Sequence, residues 1–384
     1  MNTHVKMKNI AVLGATGSIG RSAAAVIAAN PERFRLVAAA ARSSRAELLR
    51  QTALLKPSVV ALTDENAAKE LRRDLPAGVK CLSGDESLVE IATLPEVDTV
   101  LCAVVGIGGV YAVIAALKAG KRVALASKEV MVMAGDIVNS IGSGELITVD
   151  SEHSGVFQCL AGRPASEISK VILTASGGPF REWSADRIAR ATYADAVRHP
   201  VWSMGDKVSI DSASLMNKAL ELIEARHLFR LKPEQVEAVI HPRSVVHALV
   251  ELCDGSVVAQ LSNPDMKLAI QYALSYPERA PSPLAGRLDL AKVGKLEFYA
   301  PDETRFPALK LARRAMAAGG CLPAVLNAAN DAAVEFFKAG RIPFPALWQL
   351  TEAAMEDCRN IDDGTLESRF AADAEARRFV AAHI

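Results

Sequence analysis

The chain has 384 residues and 40.8 kDa, with 50% hydrophobic residues, 23% charged and mean hydropathy +0.17. That is enough for two or three domains, too apolar for a disordered chain and too evenly charged for a membrane bundle. Lys+Arg and Asp+Glu both total 44, so the broad positive field of a nucleic-acid or anionic-membrane binder is missing and any anion site has to be local.

The start, MNTHVKMKNIAVLGATG, has a weakly basic head, but its apolar stretch Ile10 to Leu13 is too short for a signal-peptide core, and no export is expected. Thr99 to Leu117 carries no charge and is about as long as a membrane span. Its centre, Gly106-Ile107-Gly108-Gly109, breaks it, which predicts a buried strand over Val100 to Val105, a glycine turn and a helix from near Val110.

From Asn9 to Val149, short Val/Ile/Leu/Ala runs (NIAVL, RLVAAAA, VVAL, DTVLCAVV, RVALA, LITV) alternate with helical stretches. Strands apolar on both faces, alternating with helices, predict an α/β domain over 1–149 with a Rossmann-like, doubly wound parallel sheet. Within it, NIAVL runs into Gly14-Ala15-Thr16-Gly17-Ser18-Ile19-Gly20 and then a helical stretch. Glycines at a strand-to-helix turn let the backbone approach a pyrophosphate, which the helix N-terminus favours; a plain turn is the alternative. The predicted cofactor contacts here are Thr16, Gly17, Ser18 and Ile19. The second strand ends in Arg42-Ser43-Ser44-Arg45 rather than in an acidic residue, and Arg42 with Ser43 suits a ribose 2′-phosphate, hence NADP(H). The alternative is a solvated loop arginine. Lys128 follows the RVALA strand, counted fifth, where open α/β sheets place ligands; there it can polarise a substrate oxygen or simply pair with Glu129.

Beyond Asp150 the runs KVILTAS, EAVIHPRSVVHALVEL and SVVAQLS predict a central α+β domain over 150–275, with a loop at 196–206 as its mobile part. The prolines Pro277, Pro281 and Pro283 predict a linker over 276–301. From 302 to 384, RFPALKLARRAMAAG, AVLNAANDAAVEFFKAG and PALWQLTEAAMEDC show a 3.6-residue apolar period and predict a C-terminal helical domain. The six cysteines are far apart with no CxxC pair, which disfavours a zinc module or disulfide scaffold and fits free thiols in a reducing cytosol.

The strand ITV leads into Asp150-Ser151-Glu152-His153. Two carboxylates two apart on a strand face one side and can present oxygens to a hard cation such as Mg²⁺ or Mn²⁺. A third candidate sits in a helix-like run, Asp211 to Glu221, in which Ser214, Asn217, Lys218 and Glu221 fall on one stripe. The alternative is a solvent-facing stripe. The strand end Ala175-Ser176-Gly177-Gly178-Pro179-Phe180 offers amides and a hydroxyl to a phosphate, with Ser212, Asn217 and Lys218 closing the cradle, or else an ordinary turn. His199-Pro200-Val201-Trp202-Ser203-Met204-Gly205 reads as a substrate lid. His241 and His247 read as core histidines rather than metal ligands, and His4 and His227 as unremarkable.

These residues together resemble the 1-deoxy-D-xylulose 5-phosphate reductoisomerase family. GATGSIG at 14–20, SKE at 127–129, VDSEHS at 149–154, ASGGPF at 175–180, HPVWSMG at 199–205, DSASLMNKALELIEA at 211–225, IHPRSVVH at 240–247 and NAANDAAV at 327–334 occur in the family's order. The resemblance implies an NADP-dependent oxidoreductase acting on CH–OH groups, which uses NADPH and Mg²⁺ or Mn²⁺, with Co²⁺ a further candidate. Its implied reaction isomerises and reduces 1-deoxy-D-xylulose 5-phosphate to 2-C-methyl-D-erythritol 4-phosphate, on the methylerythritol phosphate route to isoprenoids. It also implies a cytoplasmic homodimer that binds a small phosphorylated sugar and neither nucleic acid nor membrane.

Carried over by position, the pattern makes Asp150, Glu152 and Glu221 metal ligands and places Ser176, Ser212, Asn217 and Lys218 around the phosphate, with His199 reaching in. Ser151 and Lys128 bind the hydroxyl and carbonyl region, Trp202 covers the carbon backbone, and Ser127, Glu129, Met204 and Gly205 join the cofactor set, Met204 near the nicotinamide. Lys128, His199 and Trp202 count with the three carboxylates as catalytic. Ser127 and Val201 depart from the asparagines the family usually carries there, which is expected to thin polar contacts. Two other functions fit parts of the pattern: an NADP-dependent, metal-assisted sugar-phosphate dehydrogenase without isomerisation, separable by product analysis, and a non-catalytic NADP sensor, which has no use for the carboxylates beside Lys218.

Overall fold

The structure is a computed structural model in which residues 6–202, 204–361 and 363–384 are described. His4, most of the chain start and Ser203 of the expected lid lie outside the described residues. Internal contacts divide the chain into two units. Unit one comprises Met1–Val130, Ser140–Ser154 and Asp265–Arg287; unit two comprises Met131–Asn139, Gly155–Pro264 and Leu288–Ile384.

Strands β1 (Lys8–Leu13), β2 (Phe34–Ala41), β3 (Val59–Leu62), β4 (Lys80–Ser83), β5 (Thr99–Cys102), β6 (Arg122–Leu125) and β7 (Glu145–Thr148) form the sheet of unit one. Helices α1 (Ser18–Ala29), α2 (Arg45–Leu55), α3 (Glu65–Asp74), α4 (Glu86–Ala92) and α5 (Val110–Lys118) alternate with the first strands. Helices α6 (Lys128–Ser140) and α7 (Ser151–Leu160) follow the last two. The strand order is β4-β3-β2-β1-β5-β6-β7, parallel at every pairing. The predicted doubly wound sheet is therefore present. Every residue of β3 and of β5 is buried, as continuous apolar runs in a sheet covered on both faces require. The strand KCLS went unpredicted because it lies at the sheet edge, half-exposed and with no apolar run. Counting it makes the strand before Lys128 the sixth, not the fifth. The apolar stretch from Thr99 divides into β5, a 3₁₀ turn at Gly106–Gly109 and α5, and among the described residues no helix is long and apolar enough to cross a membrane.

Unit two holds a four-stranded sheet of β8 (Ile168–Ala175), β9 (Val236–Ile240), β10 (Val246–Leu252) and β11 (Val257–Leu261), in the order β11-β10-β8-β9. Between β8 and β9 come α8 (Ala185–Ala189), α9 (Tyr193–Ala196), α10 (Asp206–Ala213) and α11 (Met216–Leu228). After β11 the chain forms α12 (Met266–Ser275), α13 (Leu290–Val293), α14 (Ala308–Ala318), α15 (Leu322–Lys338), α16 (Ala346–Asp357) and α17 (Leu366–Ala382).

The units do not follow the expected boundaries at 149, 275 and 301. Residues 265–287 pack into unit one, where Lys8 Nζ donates to the carbonyls of Leu274, Ser275 and Tyr276 at 2.9–3.0 Å and Arg122 Nη1 donates to Tyr276 at 2.5 Å. Two cations thus satisfy the carbonyls at the C-terminal end of α12, where the helix dipole is negative. The second half of the expected linker belongs to unit two, since Ile240 and Tyr299 exchange backbone hydrogen bonds of 2.9 Å in both directions. The C-terminal helices share one core with the second sheet instead of standing apart: Phe180, fully buried, meets Phe344 edge-on at 4.9 Å, and Phe344 meets Phe337 at 5.5 Å.

Candidate active site

In unit one the turn from β1 to α1 is built by two glycines for different reasons. Gly14 has φ +85°, and a Cβ there would stand 2.3 Å from the Ala103 carbonyl oxygen; a Cβ on Gly20 would stand 2.3 Å from the carbonyl oxygens of Gly14 and Ala15. At Gly17 the nearest atom is 3.4 Å away, so the N-terminal face of α1 stays open to an incoming group. β1 and β5 are neighbours from which the strand order runs in opposite directions, the crevice where open α/β sheets bind ligands. Gly17 and Ser18 are exposed and Thr16 and Ile19 half-buried at that point, and Arg42 and Ser43 lie exposed just past the end of the adjacent β2.

At the β6 end, Ser127 is buried and its hydroxyl donates to the Val104 carbonyl at 2.5 Å. This serine holds two loops of the sheet together. Lys128 Nζ lies 2.9 Å from Asp150 Oδ2, an ion pair with a predicted ligand. Asp150 and Glu152 do not sit on a strand, as their spacing suggested. β7 ends at Thr148 and α7 starts at Ser151, so Asp150 stands just before the helix and Glu152 in its first turn, with the Glu152 amide 3.3 Å from Asp150 Oδ1. Carboxylates at that end are favoured by the exposed amides and the dipole. Ser151 Oγ donates to the Glu152 carboxylate. His153 had not been singled out; fully buried, it places Nδ1 3.9 Å from Asp150 Oδ1, and its position beside two carboxylates was the available signal.

In unit two the helix-like run 211–221 is not one helix. Leu215 takes a left-handed φ of +62°, so α10 ends at Ala213 and α11 begins at Met216. Ser212 therefore lies in the last turn of α10 instead of at a helix start, and Ser214 leaves the stripe to accept from the Met216 amide at 3.4 Å. Asn217 and Lys218 occupy the first turn of α11, and the stripe faces inward: Lys218 is 3% exposed and Glu221 1%. Asn217 Nδ2 donates to Glu221 Oε1 at 2.5 Å and Lys218 Nζ to Oε2. The glycine turn after β8 packs on the end of α10, since a Cβ on Gly178 (φ +66°) would lie 2.5 Å from the Ser212 carbonyl oxygen. Ser176 and Ser212 are thereby brought to one place.

His199 Nε2 is 2.9 Å from Ser176 Oγ, while its Nδ1 accepts from the amides of Trp202 (2.8 Å) and Val201 (3.2 Å). Nδ1 carries no proton, so in the neutral ring Nε2–H donates to Ser176, which also accepts from the Gly178 amide at 3.1 Å. Ser176 keeps its own O–H proton for another acceptor. Val201 serves through its amide, so the side-chain departure from asparagine removes nothing from this arrangement. The Trp202 ring lies 6.3 Å from His247, whose Nε2 is 2.9 Å from Ser262 Oγ; Met204 is half-buried and Gly205 exposed. His241, fully buried, has Nδ1 2.8 Å from the Glu297 carbonyl, the core setting expected of it. Glu224, one turn beyond Glu221 and 1% exposed, is a buried carboxylate that the sequence reading left aside.

Burial pushes both His199 and His227 down to about 4. The unfolded chain takes up these protons near pH 6.5 and the folded chain only near 4, so stability is complete above about pH 6.5 and is lost as pH falls toward 4. Urea titrations between pH 7 and 4 are expected to show this slope, reduced in a His227→Gln variant; a flat profile contradicts the neutral assignment.

Family models match residues 10–135 (1-deoxy-D-xylulose 5-phosphate reductoisomerase), 146–229 (its C-terminal domain) and 261–379 (DXP reductoisomerase C-terminal domain). The 1-deoxy-D-xylulose 5-phosphate reductoisomerase of Pelotomaculum thermopropionicum is 47% identical over 377 residues, 97% of each chain. The Zymomonas mobilis enzyme in complex with NADPH superimposes with TM-score 0.92 at 39% identity, covering 98% of this chain and 99% of that one. A DOX-P reductoisomerase in complex with NADPH, fosmidomycin and magnesium gives TM-score 0.92 at 42% identity, covering 98% of both. Matched almost from end to end in sequence and in fold, the chain belongs to the 1-deoxy-D-xylulose 5-phosphate reductoisomerase family.

Proposed function

We propose that this chain is an NADPH- and divalent-metal-dependent enzyme that isomerises and reduces 1-deoxy-D-xylulose 5-phosphate to 2-C-methyl-D-erythritol 4-phosphate, in the cytoplasm and as a homodimer. The observation that carries this reading is the buried Glu221, engaged by Asn217 and Lys218 at the start of α11, in a chain that matches the family along its whole length. Related structures hold NADPH and magnesium, and the residues here suit both groups. The open α1 face at Gly17, with Thr16, Ser18 and Ile19, receives the pyrophosphate; Arg42 and Ser43 take the ribose phosphate; Ser127, Glu129, Met204 and Gly205 line the remainder of the cofactor site. Asp150, Glu152 and Glu221 are the proposed metal ligands, all oxygen donors, a chemistry that selects a hard cation such as Mg²⁺ or Mn²⁺.

A cation held there supplies Lewis acidity for the alkoxide that develops as the carbon skeleton rearranges, and NADPH supplies the hydride that reduces the resulting aldehyde. The protein's own groups do the positioning. Ser176, through its uncommitted O–H, joins Ser212, Asn217 and Lys218 on the phosphate, and His199 orients Ser176. Lys128 and Ser151 hold the hydroxyl and carbonyl region. Trp202, on the 196–206 loop, covers the carbon backbone and excludes water when that loop closes.

Loss of NADPH absorbance with 1-deoxy-D-xylulose 5-phosphate and Mg²⁺ or Mn²⁺ tests the reading. Chelator is expected to stop the reaction completely, and metal to restore it. Bound but unconsumed NADPH under every metal overturns the substrate assignment, and a product without the branched skeleton overturns the isomerisation. Sedimentation at micromolar concentration checks the dimer.

A further inference from the structure

Helix α10 has eight residues, yet the expected lid enters its first turn and Ser212 leaves from its last. Its buried apolar side chains are Ile210 and Ala213, little surface to set the rotation and height of so short a helix. Polar links make up the difference. Asp211, 1% exposed, accepts from Asn330 Nδ2 at 2.9 Å and pairs with Lys207 Nζ at 2.6 Å. Lys207 Nζ also lies 3.0 Å from Asp331 on α15, and Asp331 is held by Arg377 of α17 at 3.1 Å. At the base of the lid, Tyr193 Oη donates to Asp206 at 2.7 Å and ties α9, before the loop, to the first residue of α10 after it.

We propose that Asp211, Lys207, Asn330 and Asp331 are positioning residues: they lock α10 to the C-terminal helices and so set the placement of the Ser176–Ser212 phosphate cradle and of the lid's second attachment, an inference that rests on the function proposed above. A buried carboxylate is a poor way to stabilise a core, because desolvation offsets most of the gain and apolar residues of the same volume do as well. Its best-attested use is to specify one register among several, and α10 needs that because apolar packing does not provide it. The links join Asp211 and Lys207 of α10 to Asn330 and Asp331 of α15, none of them a proposed phosphate-binding residue, so they act through placement. Misplacing a binding group by an ångström can cost about a hundredfold.

Asn330→Ala tests this without changing charge, and Lys207→Met tests the milder, half-buried link. Both are expected to raise KM for 1-deoxy-D-xylulose 5-phosphate about tenfold or more, with the dissociation constant of NADPH unchanged. Lys207→Arg, which keeps the ion pair, is expected to restore KM, and the double variant to cost less than the product of the two singles because both cut one link. Calorimetry with inorganic phosphate on the full chain supplies a readout independent of the sugar: Asn330→Ala is expected to weaken phosphate by a similar factor. Wild-type chain that binds phosphate but leaves the sugar phosphate unreacted sinks the functional reading alone. Equal phosphate affinity in wild type and Asn330→Ala, an unchanged KM with only a lower melting temperature, or a parallel loss of NADPH binding overturns the positioning role.

Discussion

Glu221→Gln is expected to abolish turnover, lowering kcat/KM by at least about a thousandfold, while NADPH binds as in wild type. Glu221 belongs to unit two and the glycine turn to unit one, so the substitution leaves the backbone proposed to bind the pyrophosphate alone. At the site itself the change is severe. Glu221 accepts on both oxygens, from Asn217 on one and from Lys218 on the other. A glutamine can satisfy only one of those donors and turns its amide N–H₂ against the other, and the ligand set loses one negative charge. Breaking a buried ion pair costs about 3–5 kcal/mol, so the variant's melting curve has to accompany the assay, and fluorescence titration with NADPH shows whether unit one is intact. Near-normal turnover in a folded variant would remove Glu221 from the metal site.

Gly14→Val is expected to lower NADPH affinity at least about a hundredfold and to destabilise unit one by several kcal/mol. Two causes add. Gly14 sits at φ +85°, where a β-branched residue is strained, and its added Cβ would overlap the Ala103 carbonyl, a backbone atom that cannot swing away. Either the β1–α1 turn or the segment after β5 has to move, and the crevice between β1 and β5 lies between them. Gly17→Ala serves as the control, because its Cβ would meet nothing closer than 3.4 Å in the protein. It is expected to melt like wild type and to lose affinity only to the extent that the pyrophosphate needs that space. Equal NADPH affinity in Gly14→Val and wild type would show that this turn does not carry the cofactor.

Local chemistry makes the candidate site residues stand out in the sequence. A carboxylate pair in Asp150-Ser151-Glu152, serines and glycines at strand ends, and a lysine after the RVALA strand are residue types that few structural needs explain, so they stand out in any context. The Gly14 to Gly20 turn is readable for the same reason, since positive φ and close backbone approach leave glycine alone at such positions. Weaker signals were lost. α17 carries the charged Arg369 and Asp373 on its buried face, which blurs its apolar period, and β4 is an edge strand with little apolar character.

Composition and motif order alone establish the doubly wound sheet at the N-terminal end and the helical C-terminal end and single out the residue types of the candidate site, because strand burial and turn glycines are local requirements written residue by residue. How those residues are held depends on contacts between distant segments. Only the tertiary structure breaks the 211–221 run at Leu215, turns Lys218 and Glu221 inward, moves Asp150 to the head of a helix, pairs Lys128 with Asp150 and returns residues 265–287 to unit one. The partnerships of Lys128 with Asp150 and of Lys8 with the end of α12 join segments distant in the chain, and a local pattern carries no record of which polar groups meet.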